Sequence, residues 1–291
     1  MFTLMFIGVL LYRHRKLSTQ GSKDLGSLLL YVVIPIVIVK SFCVERTAER
    51  LQGLLWSFLL SLLSMVLAMS VSYLFFKRKK PLDNFAASFS NAGFIGIPLV
   101  QAAIGEDAVF YIVSYIVLLN ILQWTYGLVI MTGNKELIRW KQLISNPVVI
   151  ATLIGLLIFF IQPKIPSLAD TIMTSIASLN TPVAMFISGV YLAQVSIVSM
   201  FQNKSLLCCC TLRLCILPLL TILLLLCFPF VNTTIRLAIL IAASAPTGSN
   251  IVIFASLYGA DDLYSVKTVC LSTILSILTL PPMMMLAQCL F

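Results

Sequence analysis

Two short stretches, Asn91-Ala-Gly-Phe-Ile-Gly-Ile-Pro98 and Ser244-Ala-Pro-Thr-Gly-Ser-Asn250, hold the residues whose types and spacing could do chemistry. Each sets an asparagine and small residues around a helix breaker inside a long apolar run. Proline removes a backbone donor and clashes with the preceding turn, and glycine weakens a helix further. In lipid such a break is tolerated only where protein or a wet cavity covers the freed backbone groups. A break also exposes a half-helix N-terminus, worth about half a positive charge. Two such ends meeting at mid-membrane can hold an anion without a buried Lys or Arg. In that chemistry Asn91 and Asn250 offer amides to a carboxylate, and Thr247 and Ser249 offer hydroxyl donors. Gly93, Gly96 and Gly248 let the crossing backbones approach, and Pro98 and Pro246 hold the breaks open. One such break alone reads as a plain proline kink. Two at matched positions, each flanked by asparagine, point to a site.

Other polar residues extend the candidate path. Asn120 and Gln123 stand three apart, on one face of a helix, and either line the path or bond between helices. Asn180, with Thr181 and Pro182, has the same two readings. No Asp or Glu is expected well inside a span: Asp24, Asp107, Asp170, Asp261 and Asp262 fall at ends or in loops. A proton-relay or sodium-binding carboxylate is therefore not visible in the sequence, which leaves coupling to backbone carbonyls and hydroxyls, to a carboxylate drawn inward by folding, to the substrate's own proton, or to no ion. Arg213 is the one basic residue at depth and is expected to snorkel to the cytoplasmic side rather than contact the substrate. The eight cysteines form no C-x-x-C pair and the single histidine, His14, sits in a basic loop. Neither H-E-x-x-H nor G-x-S-x-G occurs. No metal, cofactor or catalysis is expected, and Cys208–Cys210 read as small apolar filler.

The elements that must position these residues follow from composition. Of 291 residues, 60% are apolar and only 10% charged. Soluble domains carry about 25% charge, so a soluble enzyme, a nucleic-acid-binding domain and a disulfide-stapled module are excluded. Eight stretches have no charge at all: 51–76, 84–105, 108–134, 146–163, 171–203, 214–235, 237–260 and 268–291. Residues 25–39 and Met1–Tyr12 add two more, giving ten spans. The first rises only about 18 Å as a helix against a hydrocarbon core of about 30 Å. It is either an unusually short span or the end of one begun upstream.

Loops after odd-numbered spans carry twelve Lys and Arg, and the opposite loops four. The basic side faces the cytoplasm by the positive-inside rule, which puts both termini outside in a plasma membrane. The net charge of +9 thus reads as a topology signal, with no nucleic-acid partner.

The chain also repeats. Ala103-Ile-Gly-Glu-Asp-Ala-Val-Phe-Tyr111 is similar to Leu257-Tyr-Gly-Ala-Asp-Asp-Leu-Tyr264, with the glycines 154 residues apart. Pro98 and Pro246 stand 148 apart, and Pro35 and Pro182 147 apart. These offsets match five helices plus loops. The organisation expected is a five-helix repeat over 1–134, a cytoplasmic linker over 135–145, and a second repeat over 146–291. Five is odd, so the second repeat is inverted, a frequent plan of secondary transporters.

Asn91–Pro98 followed by Gly105-Glu-Asp-Ala-Val-Phe-Tyr111 resembles the auxin efflux carrier family of permeases. So do Asn146-Pro-Val-Val-Ile-Ala-Thr-Leu-Ile-Gly155, Leu179-Asn-Thr-Pro-Val-Ala-Met-Phe-Ile-Ser-Gly189 and Ala245–Asn250 with Tyr258-Gly-Ala-Asp261. The likeness covers nearly the whole chain. It implies an all-α integral membrane fold of ten transmembrane helices in two inverted repeats. The fourth and ninth helices cross where they unwind, as in bile-acid sodium symporters. It implies transport of small organic anions, mono- or dicarboxylates, with a proton or sodium as coupling ion or none. The missing long hydrophilic loop makes the chain similar to short, bacterial-type members and turns the expectation away from auxin. An anion channel or membrane receptor on the same scaffold is the alternative. The expected partners are the anion and the lipid bilayer, with monomer and homodimer both open.

Overall fold

Helix takes up 82% of the chain, as lipid demands of a spanning segment whose backbone groups must pair internally. The computed structural model describes residues 2–291, apart from the side chains of Phe2, Gln142 and Ile197. Of the first expected segment, Met1 lies outside the described residues. The first half of the chain forms α1 (Phe2–Arg13), α2 (Thr19–Ser41), α3 (Ala48–Phe76), α4 (Pro81–Ser88), α5 (Ala92–Ala103) and α6 (Glu106–Thr132). The second forms α7 (Pro147–Ile161), α8 (Ser167–Ala193), α9 (Lys204–Leu226), α10 (Thr233–Ser244), α11 (Asn250–Tyr258) and α12 (Asp262–Leu290). Six of these, α2, α3, α6, α8, α9 and α12, are long and apolar enough to cross a membrane. Among the described residues no strand is formed, only one isolated bridge.

Local sequence sets the helix starts. Thr47 Oγ1 accepts from Arg50 N–H at 3.1 Å to begin α3, and Asp261 Oδ1 from Tyr264 N–H at 2.9 Å to begin α12. Asn146 and Asn232 do the same for α7 and α10. Each supplies an acceptor to a helix-start donor that has no partner within the helix. Prolines coincide with widened turns. Wide π-turns at Leu29–Val33, Ala92–Gly96 and Leu212–Ile216 each stand just before Pro35, Pro98 and Pro218. Widening the turn by a residue moves the carbonyl that the proline ring would strike.

Leu55, Leu62 and Val66 on α3 and Leu153, Leu157 and Ile161 on α7 are exposed, as a lipid-facing surface requires. The interior of the bundle is built on α6, whose Phe110, Ile112, Val113, Tyr115 and Ile116 are all buried. Helices α1 and α8 meet at glycines. A Cβ on Gly189 would stand 2.1 Å from the Met5 carbonyl and 2.9 Å from Gly8 Cα, the close backbone approach that small residues allow between membrane helices.

Candidate functional site

The two interruptions meet. Helix α4 ends at Ser88 and α5 resumes at Ala92; α10 ends at Ser244 and α11 resumes at Asn250. Between them the unwound segments run antiparallel, with Ser90 bridged to Thr247. Asn91 N–H donates to the Pro246 carbonyl at 2.7 Å, and Gly248 N–H to the Phe89 carbonyl at 3.0 Å. Backbone groups freed by one break are thus satisfied by the other. Gly248 is required for this contact, because a Cβ there would lie 2.9 Å from the Ser90 carbonyl oxygen.

Both N-terminal ends, at the start of α5 and of α11, open on one cavity of about 30 Å³ lined by Asn91, Gly93, Asn120, Gly248, Ser249 and Asn250. That is room for about two water molecules. It shares Leu30, Phe94, Ser249 and Asn250 with a larger cavity of about 310 Å³ that runs toward Lys23, Ser256 and Leu257. At the other end of the bundle a separate cavity of about 410 Å³ is lined by Lys40, Gln101, Glu106, Asp107, Thr174 and Thr181. It has no lining residue in common with the central one. Cys43 sits in this outer cavity, where burial first and Asp170 second push its thiol pKa up against the pull of Lys40.

The side chains around the central cavity divide by what they already bond. Asn91 makes none of the described side-chain hydrogen bonds and faces the cavity with a 7% exposed side chain. Asn120 lines it while its Nδ2 donates to the Ile116 carbonyl at 2.9 Å. Asn250 lines it while its Nδ2 donates to Gln123 Oε1 at 2.7 Å.

Several expected roles change. Of its two readings Gln123 takes the second: fully buried behind Asn250, it bonds between helices and does not line the path. Thr247 is not a cavity donor: its hydroxyl donates to the Ala86 carbonyl at 3.2 Å, closing the α4 end. Gly93 and Gly96 do not admit the crossing backbone. A Cβ on Gly93 would meet only Ile34 Cδ1 at 3.5 Å, and one on Gly96 the side chain of Ile112 at 3.3 Å. Pro98 lies in α5 beyond the π-turn, a full turn and more past the break at Phe89–Asn91. Pro246 is within its break and supplies the carbonyl that Asn91 uses. Asn180 is 1% exposed, stands outside the cavity lining and leaves both amide atoms unpaired.

One charged residue departs from the sequence reading, and a second, which the sequence does not single out, is also buried in the chain's interior. Arg213 does not snorkel: it is 1% exposed, and its guanidinium donates to the carbonyls of Ala87, Ala243 and Ala245 at the crossing. Asp83 is a buried carboxylate in the first turn of α4, 3% exposed. Its Oδ1 accepts from the Tyr264 hydroxyl and its Oδ2 from Ser205 Oγ at 2.7 Å, while Lys80 Nζ donates to Ser205 Oγ at 2.9 Å. The signal in the sequence was Lys80-Pro81, which starts a helix and carries Asp83 inward with it.

A family model described as membrane transport protein matches residues 1–284. No curated protein matches the chain.

Proposed function

The chain belongs to the membrane transport protein family, that of the auxin efflux carriers, and is a multi-pass membrane transporter; from that premise we propose that it carries small organic anions by alternating access around the crossed breaks. The observation that carries this reading is that both half-helix N-termini, with the amides of Asn91 and Asn250, open on the same cavity. Two such ends bring about one positive charge to a carboxylate, and the asparagines and Ser249 add donors. Among the described residues no buried lysine or arginine lines the cavity to hold the anion too tightly for release.

In this reading the α4–α5 and α10–α11 pairs are the fourth and ninth of ten spans. The first repeat covers 1–134, the linker 135–145 and the inverted second repeat 146–291. Supporting this, Gly105 and Gly259 take up positive φ, +117° and +68°, at corresponding joints after each broken helix. The basic-loop count then favours the Lys23 end at the cytoplasm and both termini outside, in our reading at the plasma membrane. The central cavity continues toward that end alone among the described cavities, which favours a carrier caught inward-facing over a channel.

The test is uptake of labelled mono- and dicarboxylates into liposomes holding the purified chain. Saturable uptake that unlabelled substrate inside the vesicle accelerates supports the carrier. Linear flux without acceleration would assign a channel.

A further inference from the structure

The crossing has a second polar face, opposite in sign to the cavity. The carbonyls of Ala87 at the end of α4 and of Ala243 and Ala245 at the end of α10 have lost their helical partners. The Asn91 N–H that would serve Ala87 donates instead to Pro246, and the Thr247 N–H that would serve Ala243 donates to Ser272 Oγ at 3.1 Å. Helix C-termini carry about half a negative charge each. In secondary transporters such ends and unwound carbonyls are where a coupling sodium ion is coordinated.

Here that place is filled by the chain itself. Arg213, on the π-turn of α9, reaches Ala245 through Nε at 3.1 Å, Ala87 through Nη1 at 2.9 Å and Ala243 through Nη2. One guanidinium charge meets two C-terminal ends, so the sum is close to neutral. A buried charge is tolerable only when hydrogen-bonded throughout. The fixed fork of arginine suits three divergent carbonyls. We propose that Arg213 is a built-in cation at the crossing: it stands where a coupling sodium ion would bind, ties the two broken helices into one unit, and makes transport independent of sodium. Arg213 is a positioning residue, since it acts on the cavity only through the crossing. The inference rests on the transporter reading, but its first test needs no substrate.

That test is thermal unfolding of the purified chain and of Arg213→Ala and Arg213→Lys, titrated with sodium, ethylguanidinium or choline at constant ionic strength. The wild type is expected to unfold at one temperature in all three salts. Arg213→Ala is expected to unfold lower, and to be restored saturably by ethylguanidinium or sodium but not by choline. Arg213→Lys, which keeps the charge and loses the fork, is expected to fold with an intermediate midpoint and no sodium response. In liposomes, wild-type uptake is expected to be equal in sodium and choline, while Arg213→Lys slows uptake by about tenfold, the scale of one lost charge-assisted hydrogen bond. Sodium-stabilised wild type, uptake that collapses in choline, or an Arg213→Ala protein indifferent to every cation would overturn the proposal. If Arg213→Ala does not fold, the wild-type and Arg213→Lys titrations decide. If no carboxylate is carried, the unfolding titrations still stand, so the two failures are separable.

Discussion

Asn250 donates its amide to Gln123 at 2.7 Å, and Gln123 is wholly buried with its own Nε2 unpaired. The contact joins the first turn of α11 to the π-turn of α6 at Gln123–Gly127, so the orientation of one cavity amide is set by a residue that never reaches the cavity. Gln123→Leu removes the acceptor that aims Asn250. It is expected to raise the KM for a carboxylate with membrane insertion unchanged, by about tenfold for one hydrogen bond of about 1.4 kcal/mol. The check is a concentration series of uptake in liposomes.

Gly248 and Gly93 differ in what a methyl group would meet. Gly248→Ala puts a Cβ against the Ser90 carbonyl and is expected to lower stability by about 1–3 kcal/mol and to abolish uptake. Gly93→Ala meets only a side-chain methyl at van der Waals distance and is expected to retain the wild-type unfolding midpoint. Thermal unfolding of the two variants side by side distinguishes them.

The prolines separate in the same way. Pro246→Ala restores an N–H that can serve the Ala242 carbonyl, so α10 can extend through the break and withdraw the carbonyl Asn91 uses. Uptake is expected to be lost. Pro98→Ala acts on the π-turn beyond the crossing, and uptake is expected to survive. Parallel uptake assays in matched liposomes check the pair.

At the Lys80 end, Asp83 is held by Tyr264 and Ser205, which ties α4 to α12 and α9. Tyr264→Phe deletes one donor to a buried carboxylate. It is expected to cost about 1–3 kcal/mol of stability while leaving KM unchanged, since none of these side chains lines the central cavity. Unfolding midpoints and KM measured on one preparation test both parts.

Much of this was legible in the sequence. Charge-free runs give the apolar helices; the Pro246–Asn250 cluster marks one interruption, and the other lies just before the Asn91–Pro98 cluster rather than within it. The family membership follows the motifs around Asn91 and Asn250. What pattern could not give was partner choice. Thr247 and Ser249 are both small hydroxyl residues beside a break, yet one closes α4 and the other lines the cavity, a difference set by which way the unwound segment turns. Arg213 looked like a residue that would reach for water. It stays inside because three carbonyls, orphaned by breaks in helices far away in sequence, are waiting at its depth. Pro98 does not end its helix because the π-turn before it absorbs the proline. Asp83 is not legible as a buried carboxylate because it closely follows the basic run Lys77–Lys80, whose pattern is that of a loop.

The most direct measurement is counterflow: liposomes preloaded with unlabelled carboxylate, diluted into the labelled compound, for the wild type, Asn91→Ala and Asn250→Ala. The expected result is transient accumulation of label by the wild type, and none by either variant, though both insert into the bilayer in normal amount. Undiminished counterflow in both variants would contradict an anion held between the two broken helices.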